Sequence, residues 1–174
     1  KAMGAEVILV SGPTNLKPPA NVTTLPVTSA AQMHQQVMAQ VSTCDIFIAC
    51  AAVADYRPAQ ITQQKIKKND QELTLTFVKN PDILSDVAHL QHPPFTLGFA
   101  AETQNIREYA LSKMTRKKLN MIAANDVSDS RIGFNSEQNA LTVFWPEGEV
   151  NLAIADKQQL SMQLLQLVSE QLKP

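Results

Sequence analysis

The chain has 174 residues, 44% of them hydrophobic and 18% charged, with a formal net charge of -1. That length and apolar content suit one domain with a real core, and the balanced charge argues against a broad nucleic-acid surface, so any anion site must be a local cluster. No apolar run approaches the ~20 residues of a membrane span, and the opening residues do not read as a signal peptide.

Lys1-Ala2-Met3-Gly4 reads as the last turn of a helix with Gly4 as its C-terminal cap, and residues 5–10 read as a buried strand. A doubly wound domain should not begin there. The expectation is a single domain over residues 1–174 that lacks its first strand and most of its first helix. Ser11-Gly12-Pro13-Thr14 then turns at the end of a strand, which is either a plain turn or part of a ligand edge. Residues 22–27 read as a second strand. Ser29 and Gln32 have capping-box spacing, and Met33, Val37 and Val41 mark one helical face.

Residues 46–50 are an apolar run of the length of a buried parallel strand. Ala49, Cys50 and Ala51 are small enough to let a ligand approach the backbone, and Asp55, Tyr56 and Arg57 follow before Pro58 forbids an ordinary helix. A strand ending in a small-residue loop with one carboxylate is where open α/β sheets bind nucleotides, and it is equally a core strand with a polar turn. Cys44 and Cys50 lie on or beside this strand. Six residues of strand separate them by about 20 Å, too far for a disulfide, so they read as reduced thiols in a cytoplasmic protein. Cys50 reads as a small buried packing residue.

Lys65, Lys67 and Lys68 fall on a loop or flap, where they are either a solvated surface or point charges for phosphates. Residues 73–78 alternate like a half-exposed strand, which with the lysine loop makes an arm. Asn80 has the chemistry of an N-cap, Pro81 suits the first helical position and Asp82 complements the dipole, so a helix is expected over residues 81–90, with an N-terminus suited to phosphate. Residues 95–100 read as another buried strand, with Phe99 near its end; an aromatic there is core by default. Thr103 or Asn105 opens a helix running to about Leu119, with Ile106, Tyr109, Ala110 and Met114 facing inward. Lys113 and Lys117 are four apart and project together, while Arg116 and Lys118 point elsewhere.

Residues 121–124 form the next parallel strand, which ends at Asn125-Asp126. Residues 128–139 read as a loop containing Gly133-Phe134-Asn135. Residues 140–144 and 150–154 form a hairpin over Pro146-Glu147-Gly148, and Asp156 caps a last helix whose Leu160, Leu164, Leu167, Val168 and Leu172 share a side. Strands alternating with helices make the fold class α/β: a Rossmann-like, mainly parallel sheet with helices on both faces and a protruding β arm.

Five motifs occur in order: Ala51-Ala52-Val53-Ala54-Asp55-Tyr56-Arg57, Lys65-Ile66-Lys67-Lys68, Asn80-Pro81-Asp82-Ile83, Gly98-Phe99-Ala100-Ala101-Glu102-Thr103 and Ala124-Asn125-Asp126. Each is weak by itself; the series resembles the bacterial phosphopantothenoylcysteine synthetases, CTP-dependent ligases of coenzyme A biosynthesis usually found as the C-terminal half of a bifunctional protein. The resemblance implies joining of 4'-phosphopantothenate to L-cysteine through an acyl-cytidylate, with CTP and Mg2+. It implies CTP contacts at Ala49, Cys50, Ala51, Asp55, Lys65, Pro81, Asp82, Ile83, Leu84, Phe99, Lys113 and Lys117, with Lys65 acting on the triphosphate during the reaction. It also implies a homodimer and a fused or associated flavin-dependent decarboxylase domain. The metal ligands stay unassigned, and the family's catalytic asparagine has no counterpart among these residues. No residue reads the base unambiguously, so CTP over ATP rests on the resemblance. An NAD(P)-dependent oxidoreductase of similar topology is a second reading, although the chain has five glycines and no GxGxxG. A non-catalytic nucleotide-binding module is a third.

Overall fold

The computed structural model describes residues 1–62, 64–66, 72–126 and 136–172. Lys67, Lys68 and the expected Gly133-Phe134-Asn135 loop lie outside the described residues. In chain order the elements are β1 (Ile8–Ser11), β2 (Thr23–Pro26), α1 (Ala30–Gln40), a 3-10 turn (Val41–Thr43), β3 (Ile46–Ala49), β4 (Tyr56–Pro58), β5 (Phe77–Lys79), α2 (Ile83–Ala88), β6 (Phe95–Glu102), α3 (Ile106–Lys117), β7 (Met121–Asp126), β8 (Gln138–Trp145), β9 (Gly148–Asp156) and α4 (Lys157–Gln171). They fall into two compact units, Lys1–Ala39 with Ala51–Ile83, and Gln40–Cys50 with Leu84–Pro174.

The first unit holds two small sheets. β1 and β2 pair in parallel, and the ladder is lengthened by Thr23 N–H donating to the Val7 carbonyl and Val27 N–H to the Ser11 carbonyl. The strand expected at residues 5–10 is therefore Ile8–Ser11, and it is only half-buried because a two-stranded sheet covers little of either face. Gly4 has φ +90° and its N–H donates to the Lys1 carbonyl, the left-handed turn its position suggested. Ser29 Oγ accepts from the Gln32 N–H at 3.2 Å, as an N-cap should. Gln32 does not complete the expected box: its Oε1 accepts instead from the N–H and hydroxyl of Thr28, one residue earlier. β4 and β5 pair antiparallel, with Arg57 opposite Val78. The strand expected at residues 73–78 is thus Phe77–Lys79, and part of the lysine loop expected to form an arm with it lies outside the described residues.

The second unit carries a five-stranded sheet in the order β3-β6-β7-β8-β9. β3, β6 and β7 run parallel, and β8 and β9 are antiparallel, joined by the tight turn expected at Pro146 and Glu147. Alternation along β7 sends Ile122 and Ala124 to one face, with Ala110 and Met114 of α3 and Leu84 and Ala88 of α2. It sends Met121 and Ala123 to the other, with Leu164 and Val168 of α4. Helices therefore cover both faces. Asp156 caps α4, its carboxylate accepting from the Gln159 N–H at 2.7 Å. Thr96, buried in β6, exchanges hydrogen bonds with Asn120 at the mouth of β7: its N–H and hydroxyl donate to Asn120 Oδ1, and its Oγ1 accepts the Asn120 N–H.

Four expectations change for reasons of position. β3 is not buried: Ile46 and Ile48 are 36% and 37% exposed, because β3 is an edge strand and only Phe47 and Ala49 pack under the helices. Cys50, just past its end, is exposed rather than packed. Tyr109 is 42% exposed, with Leu111 taking the inward place beside Ala110 and Met114. Leu172 lies beyond the end of α4 and is 43% exposed.

Candidate functional site

Consider first the C-terminal ends of the parallel strands in the second unit. β3 stops at Ala49, opposite Gly98, while β6 runs on for four residues to Glu102 and pairs with β7 as far as Asp126. The stretch from Phe99 to Glu102 therefore extends past its β3 neighbour, and the chain beside it is the exposed Cys50. Strand ends of this kind are where parallel sheets hold ligands. Ala49 packs its methyl into the core, so it offers backbone rather than side chain to a ligand. Phe99 packs against the α4-side core and is half-buried, as an aromatic at that position does by default.

Lys113 reaches this edge. It projects from α3 to β6 just beyond the end of its pairing with β3, where its Nζ donates to the Phe99 carbonyl at 2.9 Å. Lys117, one turn on, is half-buried as well, whereas Arg116 and Lys118 are exposed. The helix thus separates its lysines as their spacing suggested. Asn105 stands at the N-cap of α3, but in the left-handed conformation and without a side-chain capping bond; its carbonyl accepts the Tyr109 N–H.

In the first unit, Ala51 opens the loop with a tight turn, its carbonyl accepting the Val53 N–H at 3.0 Å. Asp55 is exposed just ahead of β4. Asn80, expected as a helix cap, holds this loop instead: it donates from its backbone N–H to the Asp55 carbonyl and from Nδ2 to the Ala54 carbonyl, both at 2.8 Å. Arg57 Nη1 donates to Asn80 Oδ1 and to the Lys79 carbonyl. With its side chain so used, Asn80 does not cap, and Pro81 and Asp82 lie exposed ahead of the helix. α2 begins at Ile83 and spans six residues rather than residues 81–90; Pro93 and Pro94 lie just beyond, where no helix could continue. Ile83 and Leu84 are buried, so a ligand at that position would meet their backbone. Lys65 is exposed in an irregular stretch of the same unit.

Asn80 and Gly98 are the two residues whose parts were missed. Asn80 carried the signal of a cap. Gly98 sat inside a quoted motif without a role, although a glycine in a buried strand points to close approach of a neighbour. Among the described residues, no group of three or more His, Cys, Asp or Glu assembles to hold a metal, and no helix is long and apolar enough to cross a membrane.

Comparison with known proteins agrees with this architecture. A protein from Vibrio vulnificus (strain YJ016), the coenzyme A biosynthesis bifunctional protein CoaBC, is 52% identical over 169 residues, 95% of this chain and 42% of the relative. The protein of the same name from Escherichia coli (strain K12) is 49% identical over 166 residues, 93% of this chain and 41% of the relative. The chain therefore spans about two fifths of the length of these curated relatives. The crystal structure of the C-terminal domain of a coenzyme A biosynthesis bifunctional protein CoaBC superposes with a TM-score of 0.81 at 35% identity, covering 98% of this chain and 76% of that one. Residues 1–172 match the family described as DNA/pantothenate metabolism flavoprotein, C-terminal domain, and the chain belongs to that family.

Proposed function

We propose that the chain is the ligase part of a coenzyme A biosynthesis enzyme, joining 4'-phosphopantothenate to L-cysteine at the expense of CTP. The observation that carries this reading is Lys113, whose Nζ donates to the Phe99 carbonyl on the part of β6 that runs past β3, in a chain whose relatives are coenzyme A biosynthesis proteins. A carboxylate is a poor acyl donor because oxide is a bad leaving group. Its oxygen attacks the α-phosphorus of CTP, the bond to the β-phosphate bridge breaks, and pyrophosphate leaves. The acyl-cytidylate then meets the cysteine amine, which forms the amide, loses a proton and expels CMP.

Such a reaction needs negative charge gathered and held, and little acid–base chemistry. Lys65, Lys113 and Lys117 supply positive charge for the triphosphate, Lys65 during the reaction itself. Asp55 recognises the ribose or base. Ala49, Cys50 and Ala51, together with Pro81, Asp82, Ile83 and Leu84, offer backbone that a nucleotide can approach, and Phe99 supplies an apolar contact. Mg2+ would neutralise part of the charge on the triphosphate, and the residues that would hold it stay unassigned. The same reading includes a homodimer, a flavin-dependent decarboxylase domain fused or associated with this one, and a cytoplasmic setting.

Membership of this family does not favour an NAD(P)-dependent oxidoreductase. A thermal-shift panel of CTP, ATP, NADH and NADPH, each with Mg2+, tests the choice. CTP raises the melting temperature most; a shift with NADPH alone overturns the ligase reading.

A further inference from the structure

Asp55 lies one residue outside the β4–β5 register, which begins at Tyr56 opposite Lys79, yet its backbone is held on both sides. The Asp55 carbonyl accepts the Asn80 N–H at 2.8 Å, and the Ala54 carbonyl accepts Asn80 Nδ2 at 2.8 Å. These carbonyls belong to the two peptide planes that flank the Asp55 Cα. Peptide units are rigid, so fixing both planes fixes φ and ψ of Asp55 and hence the direction of its Cα–Cβ bond.

The orientation of the Asn80 amide is itself determined. Arg57 has only donors, and its Nη1 meets Asn80 Oδ1 at 3.1 Å while also donating to the Lys79 carbonyl at 2.6 Å. The amide oxygen must face Arg57, which leaves the NH2 to face Ala54. A flipped amide would put a carbonyl oxygen against a carbonyl oxygen and two donors against the guanidinium. We propose that Asn80, set by Arg57, is a positioning residue that aims the Asp55 carboxylate. The inference rests on the reading above that gives Asp55 to the nucleotide.

Asn80→Asp separates the two contacts. It keeps an acceptor for Arg57, loses the donor to Ala54 and places a carboxylate oxygen against that carbonyl. Calorimetry with CTP and Mg2+ on the full-length protein, for Asn80→Asp, Asp55→Asn and the double variant, forms the cycle. The expected loss of affinity from Asn80→Asp is roughly tenfold, the size of one lost hydrogen bond. In the Asp55→Asn background the same change costs less than about twofold. Fully additive losses, or no loss, overturn the proposal.

Hydrogen–deuterium exchange of the 51–57 segment, measured without ligand, supplies a second readout: Asn80→Asp speeds its exchange, and unchanged exchange overturns the tether. If the unmodified protein binds no CTP, the ligase reading fails, while faster exchange in the variant still upholds the tether. Asn80→Ser removes the amide without adding charge and gives the same comparison should Asn80→Asp not fold.

Discussion

Leu84 lies against Gly98 so closely that a Cβ at position 98 would sit 2.7 Å from Leu84 Cδ2 and 3.0 Å from Leu119 Cδ1. Both leucines are buried, so neither side chain can swing into solvent to make room. The glycine in β6 thus allows the start of α2 and the residue just past the C-cap of α3 to pack directly on the strand. Gly98→Ala should destabilise the protein by about 1–3 kcal/mol, the usual cost of overpacking a filled core. Chemical denaturation measures it. In a Leu84→Ala background the same change should cost clearly less, because the nearer clash is gone. Equal costs in the two backgrounds would show that Leu84 yields freely.

Lys118 ends α3 in the left-handed conformation, with φ +57°, and its N–H donates to the Met114 and Thr115 carbonyls. A side chain there carries a steric cost that glycine avoids. Lys118→Gly should therefore raise stability by about 0.5–1 kcal/mol and leave CTP affinity unchanged, since Lys118 is exposed and lies off the Lys113 side of the helix. A thermal melt and a CTP titration check both halves. Weaker CTP binding would show that the charge at 118 matters after all.

Lys113→Ala and Lys117→Ala should each weaken CTP binding by roughly tenfold, the scale of a lost charged hydrogen bond. The two losses should not add in the double variant, because lysines one turn apart share one anionic target. Calorimetry at low and high salt provides the check, and the losses should shrink as salt rises. An alanine variant that binds like the unmodified protein would mark its lysine as a structural residue with no part in binding CTP.

How much of this was legible in the sequence depends on how local the determinant is. Asp156 was readable because an N-cap needs only its own side chain and the N–H three residues on. The hairpin was readable because its turn residues adjoin its strands, and the shared side of Lys113 and Lys117 on α3 because spacing along a helix fixes it, although Tyr109 proved exposed where an inward residue was expected. Asn80 was not readable in this way. Its partners, Ala54, Asp55 and Arg57, meet it only through the β4–β5 register, which no local pattern specifies. The exposure of β3 was hidden for a similar reason: an apolar run announces a strand, whereas edge status is a property of the whole sheet's order. The site divides along the same line. Its residues could be nominated from motifs, but the Lys113 contact to Phe99 and the Asn80 tether needed the fold.

Lys65 is exposed in an irregular stretch of the chain. A charge on such a stretch contributes little to holding a nucleotide in its ground state, since water already solvates the phosphates well. It contributes more where charge shifts toward the leaving pyrophosphate during attack on the α-phosphorus. Lys65→Gln should accordingly lower the rate of acyl-cytidylate formation by roughly a hundredfold, while changing CTP affinity only about twofold to threefold. Single-turnover release of pyrophosphate by the full-length protein, with phosphopantothenate present and cysteine absent, isolates that step. Lys65→Arg should restore part of the rate because it keeps the charge, and only part because the guanidinium differs in shape and hydration. Near-normal release by Lys65→Gln would leave Lys65 an ordinary surface lysine, and a loss confined to CTP affinity would make it a binding residue with no part in the chemical step.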